Sequence, residues 1–152
     1  MRAPVHRLYS GFTLIELIVT LVIVIVLAVS AVPTYTHIVL HVRRSEAKSA
    51  LQSALLQQER FYTQHGSYFA FNANTTDSPF KWWSGDSPET SHYEIEAMPC
   101  AEKPLIECVV LTATPGTENV RSHEDPVCGI LSIDSSNTKS YSVSSAPNPV
   151  CW

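Results

Sequence analysis

Histidine, acid and hydroxyl side chains are the first places to look for chemistry in this chain, and their spacing supplies none. His123, Glu124 and Asp125 are consecutive in a turn-like segment, and His92 stands alone ahead of a strand-like run. No serine sits in a nucleophile elbow, and there is neither a phosphate-cradling glycine loop nor a dinucleotide fingerprint. The histidines are expected to be solvated. No residue is assigned a catalytic role, no cofactor is implied, and the protein is expected not to be an enzyme. Cys100, Cys108, Cys128 and Cys151 all lie in the C-terminal third. Four cysteines allow three pairings; proximity in sequence favours disulfides joining Cys100 to Cys108 and Cys128 to Cys151, in an oxidising compartment. By the chain-entropy account the longer loop would contribute about 3 kcal/mol. The alternatives are free buried thiols and a zinc site, and no CxxC or HxxxH spacing supports zinc.

One carboxylate is out of place. Glu16 lies inside residues 12–32, a 21-residue apolar run otherwise interrupted only by Thr13, Thr20 and Ser30. At ~1.5 Å per helical residue the run is roughly 30 Å long, the thickness of a bilayer core. A charge one turn inside such a segment is costly unless paired or held at the lipid headgroups. Arg2 and Arg7 precede the run, a bias that keeps that end in the cytoplasm, so everything from about Val39 onward is expected outside. The competing reading is an ordinary signal peptide cut near Ala28-Val29-Ser30. Glu16, the length of the run and the helical pattern resuming beyond the cut argue against it.

The elements that would carry these residues follow from glycine, proline and periodicity. No glycine falls in the 54 residues between Gly11 and Gly66, which predicts one helix over about 12–64, kinked at Pro33. In its second half Ala47, Ala50, Leu51, Ala54, Leu55, Phe61 and Tyr62 recur at helical spacing, alternating with Arg43, Arg44, Glu46, Lys48, Gln57, Gln58 and Glu59. Only this half can be covered by a small domain; the first must find a membrane or other subunits. Residues 72–91 read as a loop whose Phe80, Trp82 and Trp83 are packing feet. Strand-like runs follow at 93–98, 108–114, 129–133 and, weakly, 140–143. The expected fold is α+β, a long N-terminal helix, membrane-spanning then amphipathic, packed on a small antiparallel meander.

The stretch Gly11-Phe12-Thr13-Leu14-Ile15-Glu16, the apolar run and Pro33 together resemble the processing and assembly motif of type IV pilins and of type II secretion pseudopilins. That resemblance implies a type IV pilin fold and a leader, residues 1–11, removed after Gly11 by a prepilin peptidase that methylates the new amine on Phe12. It also implies an assembly helix over 12–38, with Glu16 pairing with a neighbouring subunit's N-terminal amine, and a periplasmic or extracellular domain over 39–152. Arg43-Arg44-Ser45-Glu46-Ala47, Gln58-Glu59-Arg60-Phe61-Tyr62, Gly66-Ser67-Tyr68, Cys128-Gly129-Ile130-Leu131-Ser132-Ile133-Asp134 and Cys151-Trp152 resemble PilE-type minor pilins of Gram-negative type IV pilus systems. In such pilins the last cysteine pair, here Cys128 and Cys151, closes a surface loop. The pair Cys100 and Cys108 is additional to the simpler pattern.

The resemblance implies a minor pilin that joins or primes a pilus for adhesion, twitching motility or DNA uptake. Its implied partners are other pilin subunits, the assembly machinery, the peptidase and, before assembly, the inner membrane. A type II secretion pseudopilin would share the anchor. A DNA-binding competence pilin is the other alternative, with Lys81, Lys103, Arg121 or Lys139 as contacts. With 10 basic and 14 acidic residues, two of the basic ones in the leader, the remainder is 8 − 14, about −6. That balance gives no general attraction to nucleic acid, so DNA binding would need a local basic patch.

Overall fold

The computed structural model describes residues 11–143 and 151–152, except the side chains of residues 30–34. Its first element is helix α1, Leu14–His65, 52 residues long. Thr13 caps it: the Glu16 N–H donates to Thr13 Oγ1 at 3.3 Å and the Leu17 N–H to the Thr13 carbonyl at 3.2 Å. A hydroxyl residue followed three places later by glutamate is the capping-box pattern, a signal present in Thr13 and Glu16. At the other end Gly66 takes a left-handed conformation and donates its N–H to the Tyr62 carbonyl at 2.8 Å, closing the helix.

Two compact units divide the chain, one through Val39 and one spanning Leu40–Trp152. In the first, every large apolar side chain described from Phe12 to Val29 is exposed. Among the described residues no helix is long and apolar enough to cross a membrane; the side chains described in the apolar run stop at Val29, short of its end at Val32.

The second unit is a four-stranded antiparallel meander in chain order, β1 (Tyr93–Pro99), β2 (Val109–Pro115), β3 (Leu131–Asp134) and β4 (Lys139–Tyr141). Alternation along the strands sends Tyr93, Ile95 and Ala97, Val109, Leu111 and Ala113, and Leu131 and Ile133 to one face. Register pairs Ala97 with Leu111 and Leu111 with Ile133. Ala47, Leu51 and Ala54 of α1 join that face in one buried cluster. Leu51 is the one large side chain of the three, flanked by the two small alanines. Strand β3 begins at Leu131 rather than at 129, because Gly129 holds a left-handed backbone and turns the chain before pairing starts. Phe71 and the 72–91 loop that follows it cover the outer edge of β1 through bridges of Phe71 to Ala97 and Trp83 to Glu94. Its Phe80 stacks on Phe71 with ring centroids 5.2 Å apart.

The buried stripe of α1 is longer than its apolar residues. Arg44 and Gln58, assigned from the sequence to the polar side, are 4% and 0% exposed and extend the stripe one turn at each end. Each is buried because it is fully engaged. Gln58 acts as a peptide mimic, its Nε2 donating to the Phe69 carbonyl at 2.6 Å and its Oε1 accepting the Phe69 N–H at 2.9 Å. Arg44 makes a two-pronged ion pair with Asp125 at 2.6 and 2.7 Å. Asp125 also accepts the Tyr93 hydroxyl at 2.8 Å and the backbone N–H groups of Val127 and Cys128 at 3.2 and 3.0 Å. Burial alone would raise the Asp125 pKa. The Arg44 guanidinium, the Cys128 N–H and the Tyr93 hydroxyl outweigh it and hold the carboxylate down at about 2. Desolvation, and hydrogen bonding to Asp125, push the Tyr93 phenol well above its usual value.

The four cysteines form two disulfides, Cys100 with Cys108 and Cys128 with Cys151, with Cα atoms 5.5 and 5.6 Å apart. The first brackets the β1–β2 connection. The second ties the segment fixed by Asp125 to the C-terminus, and both of its cysteines are fully buried.

Two measurements on the full chain in detergent micelles check this packing. In denaturant titrations Leu51→Ala is expected to lose about 2–5 kcal/mol, while Leu56→Ala, at an exposed position of the same helix, changes stability by less than about 0.5 kcal/mol. Asp125 has a depressed pKa, so its contribution, on the order of 2 kcal/mol, is complete above the ordinary carboxylate value. It is lost as pH falls toward about 2. Asp125→Asn is expected to flatten that acid limb and, by leaving Arg44 buried without its counter-charge, to destabilise the domain by about 3–5 kcal/mol. An acid limb unchanged in the variant would mean that other groups set it.

Candidate functional site

Gly11, Phe12 and Glu16 fall on one short stretch at the start of α1, and Pro33 lies apart from them. Gly11 and Thr13 are exposed, Phe12 is 80% exposed, and Glu16 is exposed in the first turn of α1. A carboxylate at that position favours the positive end of the helix dipole. It therefore has a local role in starting the helix besides any role toward another subunit. Pro33 lies inside α1, which is assigned as helix on both sides of it. The leader, residues 1–10, lies outside the described residues, as does the side chain of Pro33. Cys128 and Cys151 sit in the core, whereas the Cys100 and Cys108 bridge lies at the far end of β1 and β2.

The four cations considered as nucleic-acid contacts do not gather in one place. Lys81, in the loop beside β1, donates to the Gly85 carbonyl and lies over the Trp83 ring, 5.5 Å from its centroid. Lys139, on β4, lies over the Trp152 ring at 5.2 Å. Lys103 is in the connection bracketed by the Cys100 and Cys108 bridge, its N–H donating to the Cys100 carbonyl at 3.1 Å. Arg121 is exposed in the β2–β3 connection, its N–H donating to the Ser91 carbonyl at 2.8 Å. The sequence reading left out Lys48. Burial, then the nearby charges of Arg44 and Lys139, lower its pKa, which places a second cation beside Lys139. Two of the cations thus pack on indole faces, an arrangement that combines charge with a stacking surface.

The expectation of solvated histidines fails at His123, which is 8% exposed. Its Nδ1 lies 3.0 Å from Arg43 Nη1. A guanidinium only donates, so Nδ1 accepts and the imidazole is neutral with its proton on Nε2. That Nε2 is buried and has no hydrogen-bond partner among the described residues. Burial first, then the Arg43 charge, holds the pKa of His123 below the usual imidazole value, and the same two causes lower that of half-buried His92. The rings of the two histidines meet edge to face at 5.6 Å. No periodicity signals this grouping, because Arg43 is 80 residues from His123.

Comparison with known proteins bears on residues 6–132 through two family matches. Curated protein sequences return no match. Among solved structures the chain is similar to a type IV pilin from Shewanella oneidensis, at 26% identity and a TM-score of 0.45, over 74% of this chain and 97% of that one. It is also similar to the non-core minor pilin PilV of Neisseria meningitidis, at 19% identity and a TM-score of 0.46, over 72% of this chain and 92% of that one. The prokaryotic N-terminal methylation motif matches residues 6–32, which contain Gly11, Phe12 and Glu16. The family described as type IV minor pilin ComP, DNA uptake sequence receptor, matches residues 33–132, from the middle of α1 into β3. With that match covering well over half of its length, the chain belongs to the type IV minor pilin ComP family and is a minor type IV pilin.

Proposed function

We propose that this minor pilin is made as a precursor and cut after Gly11 by a prepilin peptidase, which methylates the new amine on Phe12. The helix over 12–38 then holds it in the inner membrane with residues 39–152 in the periplasm, until it moves into an extracellular pilus and serves there as a receptor for DNA. The observation that carries the anchoring and assembly is the contrast along α1: bare apolar side chains through Val29, then a stripe covered by the sheet from Arg44 to Gln58. In a bilayer, or in a bundle of the same helices from other subunits, those bare side chains lose their exposure to water. Glu16 pairs with the amine of a neighbouring subunit, and Pro33 adjusts the path of the helix within the bundle. The DNA arm is supported by the family's description as a DNA uptake sequence receptor and by the cation and indole pairs Lys81 with Trp83 and Lys139 with Trp152.

Two outcomes test these arms separately. Glu16→Gln is expected to lower incorporation into pili while leaving the secondary structure and thermal stability of the Leu40–Trp152 unit unchanged; normal incorporation would remove the assembly role. The full chain in detergent micelles is expected to bind duplex DNA with affinity that falls as salt rises. Lys81→Gln and Lys139→Gln are each expected to reduce the slope of log affinity against log salt by about 1. Slopes unchanged in both variants would place the DNA elsewhere on the domain.

A further inference from the structure

At the end of the domain where α1 enters, Arg43, Arg121, His92 and His123 come together from three segments distant in sequence. Arg43 donates to His123, His123 meets His92 edge to face, and the Arg121 N–H bonds to the residue preceding His92. The backbone holds this meeting point tightly. The Gly116 N–H donates to the His92 carbonyl at 3.1 Å, and a Cβ on Gly116, whose φ is +60°, would collide with the backbone of His123. We propose that this cluster is a contact site for the phosphates of duplex DNA, and that protonation of His123 and His92 strengthens it. The inference rests on the DNA-receptor reading above and adds the site and its control by pH.

The chemistry follows from donor and acceptor counting. While His123 is neutral, its Nδ1 occupies one Nη of Arg43. The next proton can go only to Nδ1, since Nε2 already carries one. Two donors then face each other at hydrogen-bond distance, the contact breaks, and the Arg43 guanidinium is released for bidentate contact with a phosphate. Protonation of half-buried His92 adds a second positive charge beside exposed Arg121. The other charged and titratable neighbours do not cancel this gain. Around His123 they are Arg44, Tyr93 and Asp125, already bound to one another. Around His92, among the described residues, they are Arg43, Arg121 and the carboxylate of Glu46, which favours the protonated ring and whose Oε1 accepts the Ser84 hydroxyl at 2.8 Å. Both histidines titrate below the usual imidazole value, so the site is weak at neutral pH and strong on the acid side. Because His123 titrates lower in the folded chain, its neutral contact with Arg43 stabilises the fold at neutral pH, and that stabilisation declines as pH falls through the usual imidazole range.

The test is fluorescence anisotropy of a short labelled duplex of random sequence, which reads phosphate contacts independently of base readout, titrated with the full chain in detergent micelles at fixed ionic strength. Between about pH 7.5 and about pH 5 affinity is expected to rise about ten-fold and the salt slope to steepen by about 1 to 2. Arg121→Gln, at an exposed position, is expected to lower affinity at both pH values, and the double variant His92→Gln with His123→Gln to abolish the pH-dependent gain. Should the double variant unfold, His92→Gln alone is expected to remove about half of that slope change. A double variant that keeps the full gain, or unaltered protein with the same slope at both pH values, overturns the site. Failure of the unaltered chain to bind DNA at any pH overturns the DNA-receptor reading itself, and the site with it.

Discussion

The ion pair between Arg44 and Asp125 sets the arrangement of the domain. Both side chains are almost fully out of solvent, at 5% and 0% exposure, and neither could stay there alone. Their two-pronged contact places the β2–β3 connection against α1. From that placement the Tyr93 hydroxyl orients the start of β1, and the backbone N–H groups of Val127 and Cys128 fix the turn that carries Cys128 to its disulfide. A buried pair of this kind is weak evidence for extra stability, since well-packed apolar residues of similar volume often serve as well. Its value is specificity: it selects the turn of a long helix against which the sheet can lie. Gln58 does the same at the opposite end of the stripe through its two bonds to Phe69.

That selection matters because α1 presents apolar surface for much of its length and the domain covers only part of it. Ala47, Leu51 and Ala54 are sheltered, while Leu17, Val22 and Val26 are not. A sheet packed further toward the N-terminus of α1 would cover side chains that are now exposed. Arg44, one turn beyond Leu40, stands close to where coverage begins.

Periodicity and breakers made the architecture legible. The glycine gap marks one helix, the strand-like runs at 93–98 and 108–114 mark two strands, and the nearness of Cys100 to Cys108 in sequence marks their disulfide. What escaped has a common physical origin. Arg44, Gln58, His123 and Asp125 carry polar labels that predict solvent, and their burial depends on partners 11 to 81 residues away. The strand-like run 129–133 overreaches the start of β3 by two residues, because the left-handed backbone at Gly129 is not visible in the residue types that follow it. The processing stretch is readable because its motif is continuous from Gly11 to Glu16. The cationic surface is not, since Lys139 and Arg121 acquire their neighbours, Trp152 and His92, only in the folded chain. Acidic net charge therefore says little about where a nucleic acid could dock.

The most direct measurement of the central interaction is a carbon-13 NMR titration of the Asp125 carboxyl group in the full chain in detergent micelles. If Arg44, Tyr93 and the turn amides grip the carboxylate as described, its midpoint lies at about 2. A midpoint at the unperturbed value of 3.8 would mean that the pair does not hold the connection on the helix, and would contradict the account of how this domain is set in place.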